Sequence, residues 1–173
     1  TKLMDEFMAL PYCRTKNLPV VIVRFFNTVG PRQTGRYGMV IPRFIRQALM
    51  NEPLTVYGDG TQTRTFTHVT DSVKAVVKLM ENPEAVGQVV NIGGTEEISM
   101  LELAHRVKDK VGSQSEIVLV PYDEVFPRDF EDMQRRVPSR AKLQKLTGDV
   151  PTMNLNEILD DIVAHHRRSA VAV

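Results

Sequence analysis

Apolar residues recur along this chain with two periods, and their alternation predicts helices interleaved with short strands. Leu3, Met4, Phe7, Met8 and Leu10 form a helical stripe over residues 2–16. Leu18-Pro19 interrupts it, and Val20, Val21, Ile22 and Val23 with Phe25 and Phe26 make a continuous apolar run, which predicts a buried strand of a parallel sheet. Residues 27–38 are rich in Gly, Pro and Arg and predict a loop. Val40, Ile41, Phe44, Ile45, Ala48 and Leu49 return to helical spacing over 39–50. Residues 54–57 alternate like a strand, Gly58, Asp59 and Gly60 supply hairpin turn residues, and 65–69 is the expected return arm.

Further along, Val73, Val76, Val77 and Met80 fall at i, i+3, i+4 and i+7, predicting an amphipathic helix over 71–81. A strand at 89–92 closes on Gly93-Gly94, and Ser99 with Glu102 gives a capping-box pattern ahead of Met100, Leu103, Ala104, Val107 and Val111. Residues 117–120 predict another strand, and 122–137 a long polar loop. A short helix is expected over 140–146, ending near Gly148, and a last one is striped by Leu155, Ile158, Leu159, Ile162 and Val163, with a frayed tail from Ser169. Such alternation of strands and helices argues for the α/β class.

Composition narrows the functional classes. The 173 residues are 42% hydrophobic and 25% charged, suiting one domain or a large piece of one. A net charge of +1 gives no reason to expect a nucleic-acid partner, and no apolar run reaches the ~20 residues that cross a bilayer, so no membrane partner is expected. Cys13 stands alone, which leaves no internal disulfide and no metal-ligand spacing; a cytoplasmic location and no metal are the expectations. The first helical stripe is already under way at Thr1, as though a segment precedes it.

Three stretches could carry chemistry. The loop after the first strand holds Asn27, Gly30, Pro31, Arg32, Gln33, Gly35, Arg36 and Gly38 beyond a strand's carboxyl end, where open α/β sheets bind ligands. Its donors suit phosphate oxygens, and a solvated loop with incidental arginines is the alternative. Arg64 sits beside a short strand that Tyr57 precedes, either as an anion ligand or as a solvated edge residue; His68 reads as a hydrogen-bonded packing histidine. Arg128, Arg135 and Arg136 lie in a charged connector, and His165, His166, Arg167 and Arg168 read as cations suited to a helix C-terminus. The chain contains no Gly-x-Gly-x-x-Gly, Walker, His-Glu-x-x-His or Gly-x-Ser-x-Gly motif.

In order, "RFFNTVGPRQTGRYG", "LTVYGDGTQTRTFTHVTDSVKAV", "VVNIGGTEEISMLELA" and "RRVPSRAKLQKLTG" resemble the extended short-chain dehydrogenase/reductase family, the NAD-dependent epimerases and dehydratases of nucleotide sugars. UDP-glucose 4-epimerase-like and UDP-glucuronate decarboxylase-like members are the nearest in character. The resemblance implies the C-terminal part of an extended Rossmann-type, doubly wound parallel sheet plus a small mixed α/β substrate-binding subdomain. Residues 1–30 would be the Rossmann remnant and 31–173 mainly the nucleotide-sugar-binding region, with 65–95 returning a helix and strand to the Rossmann sheet.

Site roles follow from the same resemblance. "TKLMDEF" is similar to the end of a Tyr-x-x-x-Lys motif, which makes Lys2 the catalytic lysine that also holds the nicotinamide ribose of NAD. Its tyrosine would lie four places earlier, outside the sequence. A phenol with a free pKa near ~10 needs such a neighbouring cation to act as a base. Phe25 and Phe26 would flank the nicotinamide, and Asn27 would lie near the sugar diphosphate. Arg32, Met39 and Val40 would also contact the nucleotide. Thr55 and Tyr57 would bind uracil through main chain and stacking. Arg64 would clamp a diphosphate oxygen, with Arg136 as the second arginine; Arg128 fits less well. The implied partners are a UDP-sugar and, in the intact protein, a second copy in a homodimer built on the first helix, whose Leu3, Phe7 and Leu10 would be partly exposed in this chain. UDP-sugar 4-epimerisation by hydride transfer at sugar carbon 4 is the expected reaction, with decarboxylation or 4,6-dehydration as variants. A non-catalytic nucleotide-sugar-binding module is the alternative.

Overall fold

The computed structural model describes residues 2–35, 39–127, 131–148 and 151–171. Among these residues the strands form four small sheets. β1 (Ile22–Phe25) runs parallel to β6 (Val89–Ile92), and β2 (Thr28–Val29) runs parallel to β5 (Thr67–His68). β3 (Leu54–Tyr57) runs parallel to β8 (Ile117–Val120). β4 (Thr63–Thr65) lies between β7 (Glu97–Ser99), antiparallel to it, and β9 (Arg135–Arg136), parallel to it.

Two hydrophobic cores hold these sheets. In the larger, α2 (Val40–Leu49), α4 (Met100–Val111) and α7 (Leu155–Val171) enclose β3, with Phe44, Ile45, Leu103, Val107, Ile158 and Leu159 buried. The smaller sets α3 (Val69–Glu81), a 3-10 turn (Pro83–Ala85) and α6 (Ala141–Thr147) against β6, through Leu79, Ala85, Val90, Ile92 and Leu143. Ser99 caps α4 by accepting from the Glu102 N–H and left-handed Gly148 ends α6, as the sequence patterns predict; left-handed Gly112 ends α4.

Several expectations are corrected. Gly58 and Gly60 do turn the chain, with positive φ, but the strands on either side do not form a hairpin: β3 pairs with β8, and β4 with β7 and β9. The local turn signal is real, and it redirects the chain from one sheet to another. The expected loop at 27–38 contains β2, and the stretch 122–137 contains α5 (Tyr122–Val125) and β9, elements too short for periodicity to reveal. The helix of the last segment continues past Ser169 to Val171.

Burial departs from the patterns on one side of the molecule. β1 is only half buried and Phe25 is 49% exposed, because among the described residues β1 pairs with β6 alone. The α3 stripe of Val73, Val77 and Met80 is exposed, Met80 by 76%, while Ala75 and Leu79 on another face are buried. α1 (Lys2–Lys16) buries no residue, and Phe7 is 66% exposed. Glu6 ties α1 to β1 through a two-bond pair with Arg24. No described helix is long and apolar enough to cross a membrane.

Gly93 and Gly94, at the end of β6, position everything that follows. A Cβ on Gly93 would stand 3.2 Å from Phe26 Cβ and 3.3 Å from Pro138 Cβ. One on Gly94 would meet the Phe66 backbone, with C at 2.8 Å and N at 3.2 Å. Three separate segments therefore converge on one glycine pair, each one or two residues from Asn27, Arg64 or Arg136.

Candidate functional site

Asn27 leaves β1 in a left-handed conformation, φ 36°, which asparagine tolerates better than most residues. Its Nδ2 donates to Thr65 O at 2.8 Å, and its own carbonyl accepts from Thr67 N at 3.2 Å. The amide has two N–H donors, so one remains for the space in front of it.

Arg64, in the central strand β4, lies in register with Arg136 of β9. Its guanidinium is held from several sides: Nη1 donates to Thr63 O and Met133 O at 2.8 and 2.7 Å, and Nη2 to Asp132 Oδ1 at 2.6 Å. The other Asp132 oxygen accepts from Tyr122 OH at 2.9 Å. Burial, then the hydrogen bond to Asp132, pushes the Tyr122 phenol up to about 12, so it remains a neutral donor. Gln62 Nε2 links this group to the main chain by donating to Tyr57 O and Tyr122 OH. The Arg136 guanidinium lies 5.6 Å from the centre of the Phe26 ring.

These groups line one cleft of about 630 Å³. Asn27, Met39, Val40, Tyr57, Arg64 and Arg136 all border it, over apolar surface from Val29, Phe44, Val56 and Phe66. Its described charged residues are Arg43, Arg64 and Arg136 against Asp132, three cations to one anion, so the field favours an anionic ligand.

Other expected site residues lie elsewhere. Arg32 borders a neighbouring groove with His68, Asp161, His165 and Arg168, not the cleft. Thr55 is not part of the lining either; its N–H donates to Gln47 Oε1, its carbonyl accepts from Arg43, and its hydroxyl accepts from Gln47. Gln47 and Arg43 of α2 thus hold the N–H, carbonyl and hydroxyl of Thr55. Lys2 is exposed on the first turn of α1; it lies outside both clefts, as do exposed Phe25 and half-buried Phe26. Arg36, Gly38 and Arg128 lie outside the described residues.

His68 serves packing: Nδ1 accepts from Thr70 N and caps α3, which leaves the proton of the neutral ring on Nε2, facing Asp161 Oδ2 at 3.1 Å. Arg167 donates to Val111 O, a structural use, and Arg168 lies in the last turn of α7 as expected; His165 and Arg168 also border the second groove. Among the described residues, no three His, Cys, Asp or Glu side chains are placed to hold a metal.

Gln33, in the loop singled out from the sequence, lines the cleft, whereas sequence reasoning missed Arg43, Tyr122, Phe126 and Asp132. One signal was available: Arg43 and Gln47 are polar residues four apart in an otherwise apolar helical stripe, and of the two Arg43 reaches the cleft. The segment carrying Tyr122, Phe126 and Asp132 offered no periodicity.

Comparison with known proteins places this geometry. The family model for the NAD dependent epimerase/dehydratase family matches residues 1–93. UDP-N-acetyl-alpha-D-glucosaminuronate decarboxylase of Bacillus cytotoxicus is 40% identical over 167 residues, 96% of this chain and 51% of that protein. UDP-glucuronic acid decarboxylase 2 of Arabidopsis thaliana is 39% identical over 163 residues, 94% of this chain and 35% of that protein. The crystal structure of UDP-glucuronic acid 4-epimerase from Bacillus cereus, in complex with UDP-glucuronic acid and NAD, superposes with a TM-score of 0.84 at 29% identity, covering 96% of this chain and 51% of that one. The chain thus spans about half the length of these relatives, or less, and shares their Rossmann-type α/β fold with parallel strands. It belongs to the NAD-dependent epimerase/dehydratase family.

Proposed function

We propose that this chain is the substrate-binding part of an NAD-dependent enzyme that oxidises the sugar of a UDP-sugar at carbon 4. The observation that carries this reading is the convergence of Asn27, Arg64 and Arg136 on one cleft, through β1, β4 and β9. Guanidinium and amide donors suit a diphosphate. On binding, the diphosphate takes the place of Asp132 on Arg64, and Arg136 meets it from the adjacent strand. The base lies against Tyr57, which Phe126 braces edge-on at 5.4 Å. Met39 and Val40 close the mouth of the cleft.

Residues 1–30, with the helix and strand within 65–95, form one body in this proposal, and the rest of the chain grips the nucleotide. The exposed Phe25 ring at the carboxyl end of a parallel strand fits one flank of a nicotinamide, with Phe26 beside Arg136. Lys2 supplies a cation to the same side. NAD, when bound, accepts a hydride from the sugar. The exposed apolar residues of α1 suit a homodimer contact.

Epimerisation at carbon 4 is the first reading of the step after oxidation. Decarboxylation is the second, favoured by the 40% and 39% identical relatives, both named as decarboxylases. In a chimera supplying a family member's NAD-binding half ahead of Lys2, NMR of the product from UDP-glucuronate separates them: retained carboxylate with inverted carbon 4, or loss of CO2. Binding is tested on the chain itself by calorimetry with UDP-glucose and UDP-glucuronate. The proposal expects binding that Arg64→Ala weakens by roughly 10–100-fold, the range for a hydrogen bond to a charged group. Equal binding by wild type and Arg64→Ala contradicts it. A binding module without catalysis would show the same affinities with no turnover in the chimera.

A further inference from the structure

Arg43 is the cleft residue whose chemistry is least satisfied by the protein. It projects from the first turn of α2, and its guanidinium carbon lies 4.0 Å from the centre of the Tyr57 ring. Nη2 donates to Thr55 O at 3.0 Å. Nε and Nη1 are buried and have no hydrogen-bond partner. Burial lowers the pKa of this group, the sign of a cation partly stripped of water. A buried donor left unmet costs about 1–3 kcal/mol, more on a charged group, so such donors in a ligand cleft point to an acceptor that arrives with the ligand.

Position indicates which part of the ligand that is. Arg64 and Arg136 pair in register on β4 and β9, whereas Arg43 stacks on Tyr57 of β3 and bonds to the same strand. The aromatic pair of Tyr57 and Phe126 is the face that suits a planar base. A guanidinium has donors only. It therefore donates to the carbonyl oxygen at carbon 4 of uracil and is repelled by the exocyclic amine that cytosine carries at that carbon.

We infer that Arg43 donates to the carbonyl at carbon 4 of the base, which uracil has and cytosine lacks, and makes the cleft select uridine over cytidine nucleotides. This rests on the proposed UDP-sugar function and adds the residue that reads the base. The Thr55 carbonyl fixes one end of the guanidinium and the Tyr57 ring fixes its plane, so the remaining donors are preorganised.

The test is calorimetry of the 173-residue chain and its Arg43→Met and Arg43→Lys variants with UDP, CDP and inorganic pyrophosphate, alongside circular-dichroism melts. Wild type should prefer UDP to CDP by roughly tenfold or more. Arg43→Met should weaken UDP by about 10–100-fold, bring UDP and CDP within about threefold of each other, and leave pyrophosphate unchanged. Arg43→Lys keeps stem and charge, which guards against a folding defect, and should lose the UDP preference too, because a compact ammonium lacks the planar fork that holds Thr55 and reaches the base together. An unchanged UDP preference in both variants overturns the inference, as does a fall in pyrophosphate binding equal to that of UDP. If wild type binds neither UDP nor pyrophosphate, the proposed function falls with it; if Arg64→Ala abolishes UDP binding while the Arg43 variants bind normally, the inference alone fails.

Discussion

Replacing Gly94 by alanine tests whether the glycine pair at the end of β6 sets the geometry of the cleft. The added Cβ would lie 2.8 Å from the Phe66 carbonyl carbon and 3.2 Å from its nitrogen, with the carbonyl oxygen nearer still. Carbon pairs settle at about 3.5–4.0 Å, so the Phe66 backbone must retreat by roughly 1 Å. That segment cannot swing aside like a side chain, because Thr65 belongs to β4 and Thr67 to β5. Overpacking of this kind costs about 1–3 kcal/mol, and a backbone obstacle puts Gly94→Ala near the upper value. At roughly 2–4 °C per kcal/mol for a chain of this size, the melting temperature should fall by about 6–12 °C. Arg64, two residues before Phe66, moves with it, so UDP binding should weaken as well. Gly112→Ala is the control: its Cβ would meet nothing within 4 Å, and only the left-handed φ of 70° opposes it, for about 1–2 kcal/mol. Circular-dichroism melts of both variants decide the matter. A Gly94→Ala midpoint within about 2 °C of wild type, or a larger loss in Gly112→Ala, refutes the close-approach argument.

Other outcomes are expected. Leu159→Ala, at a fully buried position of the larger core, should cost about 2–5 kcal/mol in urea unfolding. Ser99→Ala removes the cap of α4 and should cost about 1 kcal/mol by the same assay. The folded state favours the neutral Tyr122 phenol, raised from 10.0 to about 12, so its contribution to stability is complete below pH 10 and lost as pH rises toward 12. Wild type should therefore lose more stability than Tyr122→Phe between those values, and parallel urea midpoints across the window count against the Asp132 contact. Burial, then the neighbouring His165, lowers the pKa of His166; its contribution is present above the ordinary histidine value of 6.5 and lost as pH falls through the depressed one, an acid sensitivity that His166→Gln should reduce. If the apolar face of α1 joins copies of the chain, Phe7→Ser should shift light scattering toward the monomer.

The sequence was most readable where a segment's own pattern coincides with its packing. The stripes of α2, α4 and α7 repeat along each helix and all turn toward one core, and Ser99 and Gly148 mark ends through local hydrogen bonds and φ. Pairing was not readable from Gly58 and Gly60, since a turn fixes direction without choosing the partner strand, and β8 is about sixty residues from β3. The stripe Val73, Val77 and Met80 has the spacing of a buried face, yet spacing does not say what covers it. Among site residues matched by resemblance, Asn27, Arg64 and Arg136 reach the cleft on segments that the glycine pair draws together, and Met39, Val40 and Tyr57 reach it from α2 and β3. Thr55 lies off the lining, its polar groups held by Gln47 and Arg43 of another element, which no local pattern announces. Asp132 and Tyr122 were hidden in an aperiodic segment whose order comes from Arg64.

A crystal structure of the chain grown with UDP addresses the diphosphate cleft most directly. It should show phosphate oxygens within hydrogen-bond distance of Arg64 and Arg136, Asp132 moved off Arg64, and the base on Tyr57. UDP held instead in the groove beside Arg32 and Arg168, with the Arg64–Asp132 pair intact, would contradict the account.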